Sequence, residues 1–289
     1  MKTAFAGLGV MGAPMARHLL QNGHSVVGYN RSPDKARAWA DAHGGAFAAT
    51  VAEAAAGVDL FILCVGNDDD VRQVVTEALP HLAQGAVIVD HTTTSAKVAR
   101  EMAELAAGQG AFFIDAPVSG GQAGAENGQL SVMAGGDADA LSRVEAALMS
   151  YSKAIKHMGP AGAGQLTKMA NQICIAGVVQ GLAEAVHFAQ TAGLDTDAVY
   201  DAVSKGAAQS WQMDNRWKTM AKGEFEFGFA VDWMRKDLGL VLDGARANGS
   251  HLALTALVDQ FYSEVQAMGG ARWDTSSLAA RLQARPART

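Results

Sequence analysis

Cysteine is nearly missing from this chain of 289 residues. The two present, Cys64 and Cys174, lie far apart in apolar stretches. They read as small core hydrophobes, and a structural disulfide is not expected. Runs of basic charge are lacking too: 23 Lys and Arg against 29 Asp and Glu leave a net charge of −6. That balance argues against nucleic acid or an anionic membrane as a partner. The eight histidines form no ligand-spaced group with cysteines or carboxylates, so no metal site is expected. No uninterrupted apolar run is long enough to predict a bilayer span. The first strand begins at Lys2, which leaves no room for a leader peptide and predicts a cytoplasmic protein. Hydrophobic residues, at 49%, are abundant enough for two cores.

The first dozen residues are the most informative. Lys2 to Ala6 reads as a short buried strand that runs into Gly7-Leu8-Gly9-Val10-Met11-Gly12, a G-x-G-x-x-G turn. Ala13 to Asn22 follows with helical spacing of Met15, Leu19 and Leu20. Strand, glycine turn and helix together predict a dinucleotide site. The glycines allow the tight turn, the approach of a pyrophosphate, and close helix–strand packing. The phosphates then meet unpaired N–H groups at the positive end of the helix. An NAD site usually ends its second strand with an acid that bonds the ribose hydroxyls. After Ser25 to Tyr29 this chain has Asn30-Arg31-Ser32 instead. A guanidinium there suits a 2′-phosphate, so NADP is the expected cofactor, with NAD as the alternative. Arg31 can equally be a solvated loop residue, with Ser32 and Pro33 opening the next helix.

Further strands are predicted at Leu60 to Val65, Ala86 to Asp90, Ala111 to Asp115 and Gln129 to Ala134. Helical patterns lie between them at Asp34 to Ala42, Asp70 to Leu82, Ser95 to Gly108 and Asp137 to Met149. This alternation predicts an α/β fold: a doubly wound, mainly parallel Rossmann sheet. Its ligand crevice lies at the carboxyl ends of the strands, where Val65, Asn67 and Thr93 fall. His91 stands there too, and reads as a hydrogen-bonded structural residue rather than a base. Beyond the glycines at 159–164 the pattern is all helical, beginning with the apolar run Gln165 to Ala192. The expected division is residues 1–162 for the cofactor and 163–289 for an all-α substrate and dimerisation domain. A helix apolar on most sides predicts burial against a second subunit, as a homodimer or homotetramer.

Three features can carry chemistry. Lys168 sits near the start of the long helix, where burial would favour proton exchange. Asn171 lies one turn later on the same face, able to direct a substrate hydroxyl. A lysine snorkelling from a helix end is the plainer reading of the same spacing. The stretch from Asp115 to Ala125 leaves a strand with small residues and a hydroxyl, and its backbone amides can hold a carboxylate. Its glycines can also serve only to let the chain turn.

Taken together, these pieces resemble the β-hydroxyacid dehydrogenase family, the enzymes similar to 3-hydroxyisobutyrate dehydrogenase and the semialdehyde reductases. FAGLGVMGAPMARHL is similar to the family's cofactor signature, DAPVSGGQAGAENGQL to its substrate loop, GAGQLTKMANQ to its catalytic helix and RKDLGLVLD to its C-terminal motif. The resemblance implies a hydride-transferring oxidoreductase acting on a small β-hydroxy acid or its semialdehyde, of 3-hydroxyisobutyrate type. It implies Lys168 as the acid/base, with Asn171 assisting. It implies that Ser119, Gly120 and Gly121 bind the substrate carboxylate and that Asp237 contributes to the substrate site. It further implies Thr93 at the nicotinamide and Lys236 reaching the cofactor. Where the family often has a second Asn, this chain has Gln172. An imine reductase, or a noncatalytic NADP-binding relative, is the alternative; the Lys168 and Asn171 pair weighs against both.

Overall fold

The computed structural model describes residues 1–283, which fall into two compact units, Met1–Lys168 and a second that starts at Met169. The division lies inside the long helix rather than at its start.

The first unit is an α/β sheet structure. Its strands are β1 (Lys2–Ala6), β2 (Ser25–Tyr29), β3 (Ala46–Ala48), β4 (Leu60–Leu63), β5 (Val87–Asp90), β6 (Phe112–Asp115), β7 (Val118–Ser119), β8 (Leu130–Gly135) and β9 (Ser152–Gly159). The sheet runs β3-β2-β1-β4-β5-β6-β8-β7, with β9 beside β8. The strands from β3 through β6 are parallel, and β8 runs antiparallel to both β6 and β7. The strand order reverses direction at β1 and β4, which puts the crevice of a doubly wound sheet beyond their carboxyl ends.

Alternation along the strands divides the core between two faces. Phe5, Leu60, Ile62, Val87, Val89 and Ile114 join one cluster, while Ala4, Ala6, Phe61, Leu63, Ile88 and Phe113 join the other. Seven helices belong to this unit: α1 (Gly12–Gln21), α2 (Pro33–His43), α3 (Val51–Ala55), α4 (Asp68–Ala78), α5 (Ala96–Gly108), α6 (Gly121–Glu126) and α7 (Ala138–Leu148). Their starts follow capping chemistry. Thr50 and Glu53 form a reciprocal capping box, Asn67 accepts from the Asp70 amide, and Ser32 precedes Pro33 at the first position of α2.

Three strands went unanticipated. β3 has three residues, and β7 two. β9 is exposed along most of its length, so it lacks the apolar alternation that marks a half-buried strand. The stretch after Asp115, expected as a glycine loop, is instead the short strand β7 followed by α6.

α8 spans Ala163–Thr191 and carries the chain into the helical unit. That unit continues with α9 (Thr196–Val203), α10 (Trp211–Lys222), α11 (Val231–Asn248), α12 (Ala253–Ala267) and α13 (Leu278–Gln283). One face of α8 supplies Ala176, Val179, Leu182, Ala183 and Val186 to a core completed by Trp217, Met234, Leu238 and Tyr262. The buried Asp274 pairs with Arg216 at 2.9 Å, and Asp259 pairs with Arg235 at 3.0 Å. Two expectations are corrected here. By length and composition α8 is apolar enough to cross a membrane, because its few polar residues are diluted over 29 residues. Cys174 is exposed rather than buried, since it stands on the outer face of α8 between the exposed Ala170 and Val178.

Candidate functional site

The glycine turn closes the carboxyl end of β1. Gly7 has φ +97°, and a Cβ there would lie 2.1 Å from the Cys64 carbonyl oxygen. A Cβ on Gly12 would lie 1.9 Å from the Gly7 oxygen, so the turn and α1 touch backbone to backbone. Gly9 differs: a Cβ there would meet nothing within 4 Å. It borders an open cleft lined by Val10, Ala13, Pro14, Arg17, Gln122 and Glu126. The cap residue of α1, Met11, offers no side-chain hydrogen bond, and the first turn holds no acid. A helix N-terminus with no side-chain cap, facing open space over a bare glycine, fits the pyrophosphate of a dinucleotide.

Neighbouring strand ends support the turn. Asn30 Oδ1 accepts from the Leu8 amide at 3.1 Å, and its Nδ2 donates to the Ser32 carbonyl at 3.3 Å. Arg31 is 86% exposed, with Nη1 3.3 Å from Asp70 Oδ1; the other Asp70 oxygen accepts from the Gly66 amide. Nothing in the sequence signals that Asp70, 39 positions on, meets Arg31. Val65 donates its amide to Thr92 Oγ1 at 2.9 Å. Asn67 is occupied as the cap of α4.

The β5 turn and the β6 turn meet the start of α8. The buried Gln165 accepts from the Thr94 amide at 3.0 Å and donates to the Thr92 carbonyl at 2.8 Å, so it clamps Thr93 from both sides. Asp115, fully buried, accepts from the amides of Gly162 at 2.7 Å and Gln165 at 2.9 Å. Burial pushes its carboxyl up to about 6, against the pull of those amides. A Cβ on Gly164 would lie 2.3 Å from the Met133 carbonyl oxygen, so the start of α8 seats directly on β8. Lys168, 9% exposed, then donates Nζ to the Val118 carbonyl at 3.0 Å. Ser119 is half-buried beside it, and Gly120 and Gly121 are exposed at φ +132° and +60°. Lys168 and the Ser119 stretch are thus brought together.

His91 has the structural role expected of it. It is buried, with Nδ1 2.6 Å from the Ala116 carbonyl oxygen and Nε2 2.7 Å from the Tyr151 hydroxyl. Burial pulls its imidazole down to about 4. A neutral ring that donates from Nδ1 and accepts at Nε2 satisfies both contacts.

In the helical unit, Asn171 Nδ2 donates to Gln172 Oε1 at 2.8 Å, and Gln172 Nε2 donates to Asp237 Oδ2 at 2.7 Å. Asp237 is 2% exposed, and Lys236 Nζ lies 3.3 Å from its other oxygen and 5.7 Å from the Trp233 ring centroid. Sequence reasoning missed Gln165, the anchoring of α8 by Asp115, and the use of Gln172. Each works across long sequence separations that leave no local pattern.

A family model described as the NAD-binding domain of 6-phosphogluconate dehydrogenase matches residues 2–159. A second, described as the NAD-binding region of NADP-dependent 3-hydroxyisobutyrate dehydrogenase, matches residues 162–282. An uncharacterized oxidoreductase of Shewanella frigidimarina is 61% identical over 98% of both chains. A 2-(hydroxymethyl)glutarate dehydrogenase of Eubacterium barkeri is 32% identical over 96% of this chain and 93% of that one. Among solved structures, a 3-hydroxyisobutyrate dehydrogenase of Mycobacterium tuberculosis with L-serine superposes at TM-score 0.89, with 34% identity over 98% of this chain and 99% of that one.

Proposed function

Because this chain belongs to the 3-hydroxyisobutyrate dehydrogenase-like β-hydroxyacid dehydrogenases, a family of NAD(P)-dependent oxidoreductases, we propose that it is NADP-linked and interconverts a small β-hydroxy acid and its semialdehyde, with Lys168 as general acid/base. The observation that carries this reading is the seating of Lys168: nearly buried, on an anchored helix, and bonded to the residue before Ser119.

The bound nicotinamide supplies or accepts the hydride. Ser119, Gly120 and Gly121 take the substrate carboxylate, which fixes the distance of the hydroxyl from Lys168. In oxidation Lys168 Nζ takes the hydroxyl proton; in reduction it returns that proton to the nascent alkoxide. Asn171, one turn along α8, directs the hydroxyl. The turn from Gly7 to Gly12 holds the pyrophosphate, with Gly7 and Leu8 tied back to Tyr29 and Asn30 so that the later residues of the turn face it, Arg31 with Asn30 and Ser32 takes the 2′-phosphate, and Val65, Asn67, Thr93 and Lys236 complete the cofactor contacts. The names of two relatives support the substrate class, since 2-(hydroxymethyl)glutarate and L-serine each carry a hydroxymethyl group on the carbon next to a carboxylate.

A homo-oligomer is part of the proposal. Ala170, Cys174, Val178, Gly181, Ala185 and Phe188 form an exposed apolar stripe at helical spacing along α8, with Phe188 71% exposed. Such a stripe is suited to a second copy.

The test is a matrix of NADP(H) and NAD(H) against 3-hydroxyisobutyrate, serine, threonine, succinic semialdehyde, glyoxylate and tartronate semialdehyde, followed by absorbance of the reduced nicotinamide. NADP-linked turnover of a β-hydroxy acid or semialdehyde is expected. Measurable NADPH binding without turnover of any of them overturns the reading.

A further inference from the structure

Three consecutive acids open α4, and each faces a different partner. Asp68 accepts from the Ser95 amide at 2.9 Å and from the Ser95 hydroxyl, and Asp69 pairs with Arg72 at 2.9 Å. Asp70 is the one turned to the end of β2, with Oδ1 3.3 Å from Arg31 Nη1. Its other oxygen accepts from the Gly66 amide at 3.1 Å, and a Cβ on Gly66 would lie 2.5 Å from that oxygen. The carboxylate is thus seated on the loop between β4 and α4, its side chain 24% exposed against 86% for the Arg31 it faces. In this pair the acid is the fixed member and the base the movable one.

We propose that Asp70 is a specificity-determining residue: its carboxylate competes with the cofactor's 2′-phosphate for Arg31, and so holds the preference for NADP over NAD below what Arg31 alone would give. The proposal rests on the functional reading above in one respect, that Arg31 meets the 2′-phosphate. To bond that phosphate through its fork, the guanidinium must leave Asp70 or divide its charge between two anions. In either case the carboxylate stays behind on the Gly66 amide, close to the arriving phosphate, and repels it. NAD carries a neutral hydroxyl at that position, so the penalty falls on NADP. The opposite role, orienting Arg31 for the phosphate, asks more of this contact than it offers. A single 3.3 Å pairing with an exposed side chain costs about as much side-chain entropy as it gains.

The test is equilibrium binding to the full-length protein at low ionic strength: NADPH and NADH by fluorescence titration, and adenosine 2′,5′-bisphosphate by calorimetry. Asp70→Asn keeps the shape of the side chain, and its Oδ1 can still accept from Gly66. It is expected to tighten NADPH and adenosine 2′,5′-bisphosphate about three- to fivefold and to leave NADH within about twofold. Asp69→Asn removes the same charge from a carboxylate that faces Arg72, and should leave all three ligands within about twofold. Unchanged or weaker NADPH binding in Asp70→Asn, an equal gain for NADH, or an equal gain from Asp69→Asn overturns the proposal. Arg31→Ala separates the proposal from the reading beneath it. Where Arg31→Ala weakens NADPH selectively, a failed Asp70 prediction leaves that reading standing. Where it weakens both cofactors alike, or neither, the 2′-phosphate reading and this proposal fall together.

Discussion

Lys168 Nζ reaches the Val118 carbonyl oxygen across 3.0 Å, a bond that ties the start of α8 to the strand that ends in Ser119. Asp115 reinforces the same junction from below, through the amides of Gly162 and Gln165. The two cannot separate without stranding buried polar groups, each worth about 1–3 kcal/mol when left unpaired. The lysine and the proposed carboxylate loop are therefore held at a set spacing by the fold.

The His91 and Asp115 anchors titrate in opposite senses. Asp115 is raised from 3.8 to about 6, so between those values the folded chain holds a proton that the unfolded chain has released. Its contribution to stability falls as pH rises through that window. His91 is lowered from 6.5 to about 4, so there the unfolded chain holds the extra proton, and its contribution rises with pH. Each amounts to about 3 kcal/mol over its window, and in the wild type they largely cancel. Urea unfolding from pH 4 to pH 7 checks this. The stability gap between wild type and His91→Asn should widen as pH rises, and the gap for Asp115→Asn should narrow. Parallel profiles would show that neither group titrates as described.

Gly9 and Gly12 should respond differently to substitution. Gly12→Ala forces a Cβ onto the Gly7 carbonyl oxygen, so the fold itself is expected to lose about 2 kcal/mol or more, read as a fall in Tm. Gly9→Ala meets open space, so Tm should hold within a degree or two, roughly what a ΔΔG under 0.5 kcal/mol allows, while NADPH affinity drops. Calorimetry and fluorescence titration separate the two effects.

Arg31 is exposed, and its pairing with Asp70 is the kind of surface contact worth under about 1 kcal/mol. A phosphate dianion can displace Asp70 at little cost. Arg31→Ala is expected to raise the KM for NADPH about tenfold and leave that for NADH within about twofold, by steady-state kinetics. Equal changes for both cofactors would remove Arg31 from the 2′-phosphate site.

Much of this structure is legible before any coordinates. β1, β4, β5 and β6 are mostly buried and leave apolar runs in the sequence, while β2 and β8 alternate buried with more open positions and leave a period of two. β9 leaves none because solvent covers most of it. The capping box at Thr50 and Glu53 does mark α3 in the sequence, although five residues carry no helical period to confirm it. At the candidate site, Lys168 and Ser119 are found by motif. Gln165 reaching Thr92 and Thr94, Asp70 meeting Arg31, and Gln172 holding Asp237 are tertiary pairings of ordinary polar residues, and only the fold brings them together.

In the proposed mechanism Lys168 moves the substrate proton. Lys168→Met keeps the length of the side chain and removes the proton-carrying group. Its kcat with NADP and the best β-hydroxy acid should fall by about 10²–10⁴-fold, while NADPH affinity by fluorescence titration stays within about twofold of wild type. A variant that binds NADPH normally and keeps kcat within about threefold of wild type would remove Lys168 from proton transfer, since general acid/base groups are worth far more than that.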